Sequence, residues 1–292
     1  MKVKAVSRKP VSRPREALAL QGGEEVRRVY PSTESLVEAL TSSKYDLAFM
    51  EVMSNPTLKV IDVREVARAA AEAGTQLIVD NTFTTPLLVK PIKAGASAVV
   101  HSSTKYLAGH NDVTGGVVAT SKSLSGRLLE WRSKLGTVQQ PLEAYLAYRG
   151  LKTLPLRLEK ESRTATALAE FLHDNSNVVQ VHYPGLSDDP YHLLASRLFE
   201  RPLYGGVLSF KVRGGRHDAI RFVRGLRLAR VAPSLGGTET LVTLPALTAS
   251  SHMQPEERRT LGIDDSLIRV SVGLEDPEDL VEDFARALSL LS

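Results

Sequence analysis

Ser97-Ala98-Val99-Val100-His101 followed at once by Ser102-Ser103-Thr104-Lys105-Tyr106 decides the reading of this 292-residue chain. A short β-branched run of this kind is a buried strand, and here it ends directly in hydroxyls and a lysine. Upstream, Gln76 to Asp80 is a second apolar run, separated from the first by a short helical turn after Pro91 that ends at Gly95. Before that, Asp46 to Met50 is a third strand. Asp62 caps a following helix with Glu65 three residues on, an apolar stripe of Val63, Val66, Ala67 and Ala70, and Gly74 as its stop. Strand, helix and strand in alternation predict consecutive βα units and a mostly parallel sheet, extended by a strand at Gly116 to Ala119. In open sheets of this class ligands bind at the carboxyl ends of the strands, where His101 to Lys105 and Asp80 sit.

Downstream the order changes. Pro141 to about Asn175 reads as helical, with Pro155 bending or breaking the run. Strands follow at Val178 to His182 and Val207 to Val212, then a helix near Asp218 to Val223, a strand at Leu267 to Val272 and a closing helix from Pro277 to Leu291. The expected division is a large part over residues 1–160 and a smaller α+β part over 161–292.

Composition excludes several chemistries. The chain has no cysteine, so disulfides, thiolate metal sites and cysteine nucleophiles are ruled out. Its seven histidines show no ligand spacing, and no metal site is expected. Neither GxGxxG after a strand nor GxxxxGK[ST] occurs. The net charge of +4 is concentrated in the first thirty residues, where eight Lys/Arg face three Glu, leaving −1 in the remainder. That is the pattern of a solvated end rather than of a nucleic-acid surface. No apolar run reaches membrane-spanning length and no signal-peptide core follows Met1, so the expected location is the cytoplasm and no membrane partner is foreseen.

Three readings compete for His101 to Lys105. The first is a strand end with solvated polar residues. The second makes Ser102-x-x-Lys105 a serine acyl-enzyme motif, but its companion motifs are offered only as His110-Asn111-Asp112 and Lys152-Thr153-Leu154. The third makes Lys105 a Schiff-base lysine, with Ser102 and Thr104 donating to a phosphate. Asp80 favours the third, because a carboxylate at the end of a central strand suits the ring nitrogen of pyridoxal phosphate and keeps it protonated.

Further strings extend this reading. Ser54-Asn55-Pro56-Thr57-Leu58-Lys59-Val60-Ile61-Asp62, Val79-Asp80-Asn81-Thr82-Phe83 and His101 to Gly109 are followed in order by Arg149 to Leu154, Tyr183-Pro184-Gly185-Leu186, Ser234-Leu235-Gly236-Gly237 and Arg269 to Asp276. Together they resemble the Cys/Met-metabolism pyridoxal-phosphate enzymes, the cystathionine γ-synthase and γ-lyase family, from about Tyr45 to the C-terminus. The resemblance implies an α/β fold of the aspartate-aminotransferase type (fold type I), pyridoxal 5′-phosphate as cofactor and a homo-oligomer, dimer or tetramer. It implies β- or γ-elimination or γ-replacement on cystathionine, methionine or O-acylhomoserine.

By the same resemblance Lys105 carries the cofactor and moves protons. Asp80 holds the ring nitrogen, Ser102 and Thr104 the phosphate, and Asn55 lies near the ring and substrate. Arg269 clamps the substrate α-carboxylate through a planar bidentate fork, with Ser234 beside it. The family's phosphate-binding Ser-Gly-Met loop and its Tyr-Gly-Gly-Thr stretch have no counterpart here. Lys2 to Val6 resembles the strand preceding the latter, and Ser7 to Arg15 lacks its tyrosine. The expectation is an N-terminally incomplete cofactor part, with the alternative of a weak homologue that needs an N-terminal segment or partner.

Overall fold

In the computed structural model, residues 3–7 and 25–291 are described, and they form two sheets. The larger sheet contains β1 (Val3–Ser7), β2 (Glu25–Val29), β3 (Leu47–Glu51), β4 (Gln76–Asp80), β5 (Ala98–Ser102) and β6 (Gly116–Thr120), in the order β2-β1-β3-β4-β5-β6. The smaller one contains β7 (Val178–His182), β8 (Val207–Val212), β9 (Arg230–Val231), β10 (Leu241–Thr243) and β11 (Leu267–Ser271), in the order β7-β8-β11-β10-β9. The expected strand at Lys2 to Val6 corresponds to β1 where it is described, and Arg8 to Arg15 of the basic start lie outside the described residues.

The larger sheet is mixed rather than mostly parallel. The parallel pairings are β3 with β4 and β4 with β5; β6 pairs antiparallel with β5, and β1 antiparallel with both β2 and β3. A parallel neighbour requires a crossover of a dozen or more residues, usually a helix. Residues 103–115, between β5 and β6, supply one tight turn and a loop instead, so the chain returns in the opposite direction.

Between β3 and β4 the helix Val63–Glu72 forms as its stripe predicts. The Asp62 side chain accepts from Arg64 N at 3.0 Å, and Val63, Val66, Ala67 and Ala70 are buried. Each buried valine contributes about 1.5–3 kcal/mol of apolar transfer. The run from Pro141 divides into helices Pro141–Leu151 and Leu154–His173, with Pro155 in the first turn of the second, where its missing N–H costs nothing. Leu154–His173 packs against β7, β8 and the turn after β5, and its apolar residues join one core shared by both sheets. Residue 160, the expected boundary, lies within this helix. The short helical turn expected to end at Gly95 is a hydrogen-bonded turn over 91–95 and not a helix, while helices Thr33–Ser42, Lys122–Leu135 and His192–Leu198 were not foreseen. Among the described residues no helix is long and apolar enough to cross a membrane.

Candidate active site

The carboxyl edge of β3-β4-β5 builds one wall of a cavity of ≈ 690 Å³. Glu51 and Asp80 end adjacent strands as Cα partners, and Ser102 ends the third. Thr82 ties these ends together: its N–H donates to Asp80 Oδ1 at 2.9 Å, and its hydroxyl accepts from Ser102 N at 2.8 Å.

Immediately after β5, residues Ser103–Leu107 form a π-helical turn in which Lys105 leaves the helical region (φ −93°, ψ −135°). That backbone sends the side chain across the cavity, where Nζ donates to Ser234 Oγ at 2.9 Å. Burial, followed by the nearby Arg269 cation, lowers the Lys105 amine below its ordinary value. A lowered value leaves more of the neutral, nucleophilic amine at neutral pH.

The opposite wall comes from β11 and two loops. Arg269, 5% exposed in the middle of β11, donates from Nη2 to Ser234 O at 2.7 Å and from Nη1 to Asn55 Oδ1 at 3.2 Å. Its Nε is buried with no partner among the described residues. Burial pulls this guanidinium down to about 10, still protonated at neutral pH. Asn55 is presented by a loop that Ser209 of β8 fastens, its hydroxyl donating to Pro56 O at 2.7 Å. The cavity is therefore polarised: Asp80 and Glu51 on the strand edge face Lys105 and Arg269.

Six of the seven side chains singled out in the sequence, namely Asn55, Asp80, Ser102, Lys105, Ser234 and Arg269, line this one cavity. Thr104 does not. Its hydroxyl accepts from Gly115 N at 3.0 Å, and it borders a neighbouring cavity with Asn111 and Asp112. Sequence reasoning missed Glu51, Thr82 and Phe83, which also line the site. Burial raises Glu51 to about 7, with the Asp80 charge acting in the same direction, and its Oε2 is buried with no partner among the described residues. The available signal was positional, since Glu51 ends a strand as Asp80 does.

The strand edge thus brings an acid, a hydroxyl and a lysine of lowered basicity into one cavity with a buried arginine. Residues 13–289 match the family model described as Cys/Met metabolism PLP-dependent enzyme. The cystathionine gamma-lyase of Saccharomyces cerevisiae is 43% identical over 248 residues, covering 83% of this chain and 63% of the yeast protein. The L-methionine gamma-lyase of Pseudomonas putida is 40% identical over 268 residues, covering 91% and 67%. Among solved structures, the cystathionine gamma synthase of Xanthomonas oryzae pv. oryzae in complex with cystathionine superposes with a TM-score of 0.84 at 42% identity, covering 88% of this chain and 66% of that one. The chain thus spans about two thirds of the length of the relatives it matches. It belongs to the Cys/Met-metabolism pyridoxal-phosphate-dependent enzyme family, and its fold is the aspartate-aminotransferase-like fold type I of those enzymes.

Proposed function

We propose that the cavity binds pyridoxal 5′-phosphate and that the chain serves trans-sulfuration, by β- or γ-elimination or γ-replacement on cystathionine, methionine or an O-acylhomoserine. The observation that carries this reading is the convergence of Lys105, Asp80 and Arg269 on one cavity with the lysine amine lowered by burial. The names of the relatives support the substrate class, since they are lyases of cystathionine and methionine and a synthase solved with cystathionine. They give no support to the alternative of a weak, partner-dependent homologue.

The residues present fit the cofactor. A lysine of lowered basicity suits an aldehyde, a carboxylate at a strand end suits a cationic ring nitrogen, and the unpartnered Arg269 Nε is a buried donor able to accept an anionic guest. When bound, pyridoxal phosphate supplies an aldehyde for amines and a ring that takes up the electron pair left when an α-proton departs. Lys105 Nζ would hold the aldehyde end and, once released, take the α-proton and return it to a neighbouring carbon. Asp80 would keep the ring nitrogen protonated, and Ser102 would donate to the phosphate. Thr104 accepts from Gly115 N and keeps its own O–H to donate, and it would join Ser102 from the neighbouring cavity that it borders. Arg269 would hold the substrate α-carboxylate with Asn55 and Ser234 beside it, orienting the α-carbon toward Lys105.

In this reading residues 1–160 form the cofactor-binding part and 161–292 the smaller part, the location is cytoplasmic, and the protein is a homo-oligomer. Trp131, Leu135, Leu142, Tyr145 and Tyr148 stand exposed along helices Lys122–Leu135 and Pro141–Leu151, which supports self-association. The test is incubation of the cofactor-loaded protein with cystathionine, methionine and an O-acylhomoserine plus a thiol. Release of a 2-oxo acid, or formation of the thioether, is expected. Ester hydrolysis without either product would contradict the reading.

A further inference from the structure

Helix Leu154–His173 buries two charged side chains one turn apart, directly beneath the lysine-bearing turn. Arg157 is 4% exposed and Glu161 is fully buried. The Arg157 Nη2 donates to Tyr106 O at 2.8 Å and to Gly150 O at 2.9 Å, and its Nε donates to Thr153 Oγ1 at 3.1 Å. One guanidinium thus joins three segments: the turn after β5, the end of helix Pro141–Leu151 and the start of the next helix. We propose that Arg157 is the positioning residue for Lys105, holding the turn in the backbone conformation that sends the amine to Ser234.

The contacts leave little room for another arrangement. Tyr106 O belongs to the residue directly after Lys105, whose dihedral angles interrupt the regular helical bonding of the turn. Gly109 closes the turn at φ +70°, and a Cβ there would overlap the Arg157 guanidinium. A Cβ on Gly150 would likewise overlap Ala108 O, so the helix end lies directly on the turn. On its other face the turn meets the substrate-side loop, where a Cβ on Gly236 would press on Tyr106 N and its ring. Burial raises the neighbouring Glu161 to about 8 although Arg157 opposes it, and burial lowers Arg157 while Glu161 and Tyr106 favour its charged form. A lysine cannot reproduce a planar fork in which one nitrogen holds two carbonyls while another grips a hydroxyl.

Loosening the turn would let Lys105 move away from Ser234 toward solvent, weakening both the burial and the Arg269 repulsion that lower its amine. The charged groups sharing its cavity are Arg269, Asp80 and Glu51, and the bonds of Arg157 go to other residues. The inference rests on Lys105 being the cofactor's amine, but its test needs no cofactor. Competitive labelling of the full chain with acetic anhydride over a pH series, quantified lysine by lysine by mass spectrometry, reads the titration midpoint of Lys105. In the parent it should lie below the ordinary lysine value; in Arg157→Lys it should rise toward that ordinary value, with the midpoint of exposed Lys122 the same in both proteins. Thr153→Val, which removes the Nε acceptor together with the hydroxyl's own bond to Gly150 O but leaves both Nη2 bonds of Arg157 in place, should give a smaller rise. It decides the matter if Arg157→Lys fails to melt cooperatively. A role confined to stability would lower the melting temperature and leave the midpoint of a folded variant unmoved, and that result would overturn the proposal. Absence of cofactor binding by the parent would instead overturn the reading of Lys105, whatever the labelling shows.

Discussion

Arg269 holds two protein acceptors and keeps Nε buried with none among the described residues, which leaves one buried donor for a bound carboxylate in the proposed function. Losing a charge-assisted bond to a carboxylate costs about 1.5–3 kcal/mol, which is roughly tenfold or more in affinity. Arg269→Ala should therefore weaken amino-acid binding at least roughly tenfold when measured by calorimetric titration; equal affinity would remove Arg269 from the substrate site. Its place in the sequence made it legible, because an arginine between Ile268 and Val270 in an apolar strand needs a buried partner. Arg157 was not legible. In a helix rich in Glu, Lys and Arg it reads as a solvated position, and its three partners at 106, 150 and 153 meet only once the turn, the helix end and the helix start are packed together. Glu51 was hidden similarly, since an acid ending an apolar run is ordinarily exposed.

At the scale of elements, the closing helix Pro277–Leu288 is attached to the chain before β9 by Asp283. Its carboxylate accepts from Arg227 N, Leu228 N and Ala229 N at 2.8–3.0 Å and pairs with Arg286. Burial opposes ionisation here, yet these bonds outweigh it and hold Asp283 below the ordinary carboxylate value. A lowered folded-state value means that the contribution to stability is complete above the unfolded value, about 3.9, and is lost as pH falls through the folded one. Asp283→Asn should cost about 2 kcal/mol or more at pH 7 in urea unfolding. The difference from the parent should shrink below about pH 4; a constant difference across that range would contradict the assignment.

Strands were read closely because buried apolar runs flanked by Gly, Pro and polar residues have sharp ends: β4, β7 and β8 fall where expected, and β3 and β5 are displaced by one residue. Helix Lys122–Leu135 was missed for a physical reason. None of its residues is buried, so the periodicity that reveals a helix through its core-facing stripe is absent. Strand direction was also illegible where it depended on the length of chain between β5 and β6 rather than on the strands themselves.

For the whole molecule, that unburied helix and its neighbour bear on assembly. Trp131 is 58% exposed, Leu135 66% and Leu142 67%, beside Tyr145 and Tyr148. Large apolar side chains exposed in this number on two successive helices point to an interface, and closed symmetry favours a pair of copies. Sedimentation should show a dimer or tetramer that dissociates in Leu142→Glu/Tyr145→Glu; a monomer at all concentrations would contradict the assembly.

The two sheets and the helix between them place one amine, Lys105 Nζ, in the cavity proposed to hold pyridoxal 5′-phosphate. The most direct measurement is titration of the purified chain with that cofactor, followed by borohydride reduction and peptide mapping. A visible absorbance band that reduction abolishes and a pyridoxyl label on the peptide containing Lys105 are expected, both lost in Lys105→Ala. A label on another lysine, or a Lys105→Ala protein that still develops the same band, would contradict it.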